Sequence, residues 1–139
     1  MKSFLYLFIV LSLSTACSNS SDNFIVSEEV VPITMVTAPE TLTVGTVATF
    51  SIEFKIPTTC HDFLRLNFGS TPDARTVSVV TSVREGNCNT LSNASQSISF
   101  EVTPDQPGMF TFRFFTGNDS QGNPTFIVKE YDVAPRPVG

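Results

Sequence analysis

Between Val47 and Ile56 the chain alternates without a slip: Phe50, Ile52, Phe54 and Ile56 fall on one side, and Thr49, Ser51, Glu53 and Lys55 on the other. That period of two fits a pleated strand with one buried face, whereas a helix would need its apolar stripe to recur every 3.6 residues. Phe110, Phe112 and Phe114 repeat the pattern against Thr111 and Arg113, after a turn at Gly108. Residues 30–36, 42–44, 63–68, 76–83, 97–102 and 125–133 read as further strands, separated by runs rich in Pro, Gly, Asn, Asp and Ser. Pro32 has no N–H to donate, which assigns the first of these strands to a sheet edge, and a change of apolar phase around Lys129 predicts a bulge there. About seven or eight short strands, with a turn signal every ten or so residues, predict an all-β fold, an antiparallel β-sandwich. A length of 139 residues allows one core of ordinary size.

The charges narrow the function classes. Eight Lys and Arg against 13 Asp and Glu give a net charge of −5, so no positive field gathers phosphate backbones, and nucleic acid is excluded as the main partner. The single histidine cannot build a multi-histidine metal centre, and the commonest acid–base residue of neutral pH is almost missing. The sequence has no Gly-x-Ser-x-Gly, phosphate-loop or His-Glu-x-x-His motif. A protein that is not an enzyme, with no cofactor and no metal, is the expectation.

The N-terminus carries Lys2, an apolar stretch from Phe4 to Leu13, and the small residues Ser14, Thr15 and Ala16 ahead of Cys17. This is the layout of a secretory signal peptide over residues 1–16. Ten residues of helix rise roughly 15 Å, about half the ~30 Å of a hydrocarbon core, so a permanent span is the weaker reading. Small residues directly before a cysteine resemble the bacterial lipoprotein signal, although Ser14 stands where that family prefers Leu. The resemblance implies acylation of Cys17 and lipid anchoring in the cell envelope, in the outer membrane. An ordinary signal peptide with an incidental cysteine is the alternative. Residues 17–29 begin with the polar run Ser18 to Asn23 and read as a tether, with Phe24, Ile25 and Val26 either packing locally or adding a short strand. Removal of residues 1–16 takes away only Lys2, leaving seven positive against 13 negative groups and a net charge of −6. An acidic chain is not drawn to anionic headgroups, so the lipid would provide the attachment to the membrane.

Residues Thr103-Pro104-Asp105-Gln106-Pro107-Gly108-Met109-Phe110-Thr111-Phe112 resemble the EF corner of immunoglobulin-like domains. The corner tyrosine of that family bonds through its hydroxyl, which Phe110 lacks. The chain has no Trp, and Phe112 stands where an antibody domain has its second core cysteine. The resemblance is to bacterial immunoglobulin-like modules, and it implies an immunoglobulin-like sandwich over residues 30–139. The run Ile56-Pro57-Thr58-Thr59-Cys60, Cys88, the Pro107–Phe112 stretch and Gly117-Asn118-Asp119 are in turn similar to small lipoproteins of Gram-negative bacteria. That likeness implies an address and a fold, with no activity attached.

Three cysteines in an exported chain leave one over, and a lipidated Cys17 leaves Cys60 and Cys88 to pair. Consecutive antiparallel strands reverse direction, so the connections holding Cys60, Cys88 and residues 117–124 emerge at one end. A Cys60–Cys88 disulfide is therefore expected, with two free thiols as the alternative. The connection at 117–124 is the most polar of the folded part, and Phe115, Asn118, Asp119, Gln121, Asn123 and Phe126 are its candidate binding residues. Its ligand would be an unknown envelope protein or, alternatively, a glycan stacked on Phe115 and Phe126, whose simpler role is core packing. Asp119 with Asn118, Ser120 and Asn123 has the oxygen chemistry of a weak calcium loop, with only one carboxylate. His61 and Asp62 fall short of a metal ligand set and read as turn residues, and Glu28 and Glu29 as a solvated pair.

Overall fold

The computed structural model describes residues 25–72 and 74–139. The expected signal peptide, Cys17 and most of the expected tether lie outside the described residues. The chain forms the β-sandwich that the alternation predicts, and the described residues contain no helix. Among the described residues there are eight strands: β1 (Ile25–Val31), β2 (Ile33–Thr37), β3 (Ala48–Lys55), β4 (His61–Ser70), β5 (Ala74–Arg84), β6 (Ser95–Val102), β7 (Gly108–Asn118) and β8 (Pro124–Val133). The sheet β2-β3-β6 faces a second sheet in which β5 pairs with β4, β1 and β7, and β7 pairs with β8.

Four sequence expectations need correction. The first strand begins at Ile25, so residues 25–29 of the expected tether belong to the sandwich; their backbone pairs with Thr81–Arg84 of β5. The expected strand at 30–36 is two strands in different sheets, and Pro32 stands at the switch, where a missing N–H interrupts neither ladder. The register of β8 is continuous through Lys129, and the irregularity lies opposite, between Phe115 and Gly117 of β7. Gly117 has φ +111°, a conformation that L side chains rarely adopt, and an added Cβ there would lie 3.6 Å from the Pro32 ring. Residues 42–44 form one bridge, Thr43 to Ala134, in place of a strand.

The strand order also departs from the immunoglobulin one. There the fourth strand would join the sheet of β2, β3 and β6; here β5 lies between β4 and β7, parallel to β7 over Ala74–Val77. Its composition explains the central place. Val77, Val79 and Thr81 are sealed on the inner face, and Val80 and Ser82 are buried on the outer one, so this strand needs cover on both sides, as central strands do. The parallel neighbours are joined through β6 in the other sheet, the crossover that parallel pairing requires.

The core between the sheets is built on Phe50. Its ring lies 4.8 Å from Phe112, 5.3 Å from Phe100, and 6.1 Å from both Phe114 and Tyr131, and Ile33, Leu42, Ile52, Phe54, Val77 and Val79 close around this group. The hydroxyl that Phe110 lacks is supplied by its cross-strand neighbour: Tyr131 pairs with Phe110 in register and donates to the Pro39 carbonyl at 2.9 Å. Burial pushes the phenol up from its ordinary range, so its contribution is complete at neutral pH and is lost as pH rises through that raised value.

Two outcomes follow for the core. Phe50→Ala should lower the unfolding free energy by about 3–5 kcal/mol, read from denaturant midpoints. Tyr131→Phe keeps the ring and should lose about 0.5–1.5 kcal/mol.

Candidate functional site at the loop end

The connections 56–60, 85–94 and 119–123, together with the start of β1, share one end of the sandwich. The first two are joined. Cys60 and Cys88 form a disulfide with a Cα–Cα separation of 5.4 Å, as loop parity predicts. Backbone bonds reinforce it: Thr59 N–H donates to Asn89 O at 3.0 Å, Leu91 N–H to Pro57 O at 2.9 Å, and Arg84 N–H to Cys60 O at 3.0 Å. The Asn89 N–H is taken by the Thr59 hydroxyl at 3.1 Å.

Next to the bridge stands His61, which is not the turn residue with a solvent-facing ring that the sequence suggests: it opens β4 and is buried. Its Nε2 lies 3.0 Å from Glu29 Oε2 and its Nδ1 2.8 Å from Thr58 Oγ1. A carboxylate accepts only, so in the neutral imidazole Nε2 carries the proton and Nδ1 accepts from the Thr58 hydroxyl. That hydroxyl also accepts the Cys60 N–H at 3.2 Å. Hydroxyl, imidazole and carboxylate thus stand in the order used by acyl-transfer enzymes. Here the second bond to Thr58 engages the oxygen that would have to attack, and the chain of bonds ties β1 to β4 and to the disulfide loop.

His61 and Asp62 are neighbours in sequence and occupy opposite faces, as successive strand residues must. Asp62 points outward, its carboxylate 2.9 Å from Arg84 Nε. Glu28 and Glu29 separate in the same way; both are exposed, as the sequence reading has it, and each also has a partner: Glu29 reaches His61, while Glu28 takes a two-pronged bond from Arg65 at 2.7 and 2.8 Å. The Arg65 hydrogen bonds hold the Glu28 carboxyl below its ordinary range. No local motif marks Thr58 and Glu29 as partners of His61; being the only histidine was the available signal.

The third loop is brought together as expected, with its polar groups turned on one another. Asp119 Oδ1 accepts the N–H groups of Gln121 and Asn123, each at 2.9 Å, and the Asn123 amide adds longer bonds to both carboxylate oxygens. The Asn123 and Gln121 N–H groups hold the carboxyl below the ordinary aspartate range. The single carboxylate that a calcium loop would use staples its own turn, and among the described residues no cluster of three or more His, Cys, Asp or Glu forms. Asn118 pairs with Pro124 at the mouth of the hairpin. Phe115 and Phe126 meet edge to face at 6.2 Å, half-buried, with the Arg113 guanidinium 5.9 Å from the Phe126 ring.

No family model matches this chain, and no curated protein or solved structure does so either.

The loop end yields two predictions. Reducing the disulfide, which closes a separation of 28 residues, should lower stability by about 3–4 kcal/mol in the chain-entropy model; denaturant unfolding with and without dithiothreitol measures it. Because the folded-state values of Asp119 and Glu28 are lowered, their contributions are present above the unfolded values and vanish as pH falls through the folded ones. Side-chain carboxyl resonances should accordingly titrate below free aspartate and glutamate, and Arg65→Ala should return Glu28 to its ordinary range.

Proposed function

We propose that the chain is a cell-envelope lipoprotein, anchored through Cys17 in the outer membrane, that acts as a non-enzymatic binding or structural accessory module. The observation that carries this reading is the apolar leader ending in small residues directly ahead of Cys17. The disulfide supports export, since such bonds persist in oxidising compartments. Only seven residues separate Cys17 from the first strand residue, Ile25, a covalent reach of roughly 25–29 Å. An acylated Cys17 would therefore hold the loop end toward the bilayer and turn the other end outward.

A second reading, a surface glycan-binding module, is favoured by Arg113, Phe115 and Phe126, where two rings and a cation are partly open to solvent beside an amide-rich turn. Saturable binding to a glycan panel, lost in Phe126→Ala, would select it.

The lipoprotein reading is tested in a Gram-negative host. The mature protein should begin at Cys17, incorporate labelled palmitate and partition with membranes, and Cys17→Ser should abolish all three. A protein whose leader stays uncut, or one released in soluble form with an unmodified Cys17, would end the proposal.

A further inference from the structure

At the end opposite the loops the two sheets part around a cavity of about 420 Å³, within the range of ordinary small-molecule sites. Its floor is core: Leu42, Phe112 and Val133 reach it, and all three are buried. Its rim is stiff, formed by Pro72, Pro104 and Pro107, and the Pro104 carbonyl is fixed by the Gly45 N–H at 2.8 Å. Arg75 enters this space from β5. It alternates with Val77 and Val79, both sealed from solvent on the inner face, so its side chain points between the sheets, where an apolar residue would be expected.

Arg75 Nε is closed off from solvent and has no hydrogen-bond partner; among the described residues it shares this with Arg84 Nε, which, unlike Arg75, has a carboxylate oxygen, Asp62 Oδ2, 2.9 Å away. The ion pairs of the described residues join His61 to Glu29, Arg65 to Glu28 and Arg84 to Asp62; Arg75 takes part in none of them, although Asp105 also lines the cavity. A buried donor without an acceptor is a standing penalty, and a guanidinium offers its N–H groups as a planar fork that suits the two oxygens of a carboxylate.

We propose that this cavity binds a small organic acid, its carboxylate on the Arg75 fork and its apolar body over Leu42, Phe112 and Val133. With Asp105 also in the lining, the Arg75 fork suits an acid of no more than one negative charge, and the apolar floor selects against bare phosphate, whose strong hydration nothing there replaces. The site does not depend on lipidation. It lies nine residues of strand from Arg84, about 30 Å from the end where β1 starts.

3-Phenylpropionate serves as probe, titrated into the purified protein and followed by amide NMR and thermal unfolding. Saturable shifts should concentrate in residues 72–75 and 102–110, with a dissociation constant on the order of 1 mM or tighter. 3-Phenylpropanol, with the same body and no charge, and inorganic phosphate, with charge and no body, should each bind about tenfold more weakly or worse. Arg75→Met keeps the aliphatic stem and should bind acid and alcohol alike while unfolding no lower than the parent. Equal binding of acid and alcohol by the parent protein, the absence of saturable shifts, or an Arg75→Met midpoint lowered by more than about 4 °C would overturn the proposal; the last would make Arg75 a structural residue. The comparison of acid with alcohol needs no variant to fold.

Discussion

One edge of β5 is divided between two strands, and that division sets both ends of the molecule. β7 pairs with it from Ala74 to Val77, and β1 takes over from Val79 to Arg84. A strand edge has a single row of donors and acceptors, so where β1 enters, β7 must leave. Beyond Phe114 the β7–β8 hairpin therefore continues without β5. The bulge between Phe115 and Gly117 accompanies this departure, with Gly117 close against Pro32 at the point where β1 crosses to the other sheet. The arrival of β1 also brings Glu28 opposite Ser82 and Glu29 opposite Thr81, within reach of Arg65 and His61 on β4, the strand on the other edge of β5.

What could be read from the sequence is what depends on near neighbours. The inner face of β3 is visible in Phe50, Ile52 and Phe54 because the pleat period is local, and β7 follows from Phe112 and Phe114 for the same reason. The disulfide was legible because antiparallel succession fixes which connections share an end, and that parity survives even though β5 changed sheets. What could not be read is pairing. Glu28 and Glu29 look alike on the page, and only the register between β1 and β5 makes one meet Arg65 and the other His61. The run Val77 to Val83, in which only Ser and Thr interrupt the valines, held a clue to a strand covered on both faces, yet composition alone cannot say which neighbours provide the cover. Of the candidate binding residues, Asp119 and Asn123 were legible as a turn; that they satisfy each other was not, because it depends on loop geometry.

The two ends differ in how far their polar groups are satisfied. At the loop end the disulfide, the bonds between the two cysteine loops and the Thr58–His61–Glu29 chain satisfy most polar groups, and Arg84 Nε, buried without a hydrogen bond, still has the Asp62 carboxylate at 2.9 Å. The Asp119 carboxylate closes its own hairpin. Such an end resists local opening, since several cross-links must fail together, and its loops gain order at the expense of free donors and acceptors.

The opposite end has the reverse arrangement. Its rim is rigid through proline, whose fixed φ gives up little entropy when a ligand binds, and its inner wall carries a cation with an unmet N–H. Native chains seldom leave a buried donor without a partner, and those that persist in a folded protein are concentrated where function opposes stability. Met in place of Arg75 would keep the aliphatic stem and remove the unmet N–H, so the guanidinium there burdens the empty fold. A residue that burdens the empty state is explained by a state in which the space is filled, and a guanidinium fork above an apolar floor, with the Asp105 carboxylate limiting further negative charge, defines what can fill it.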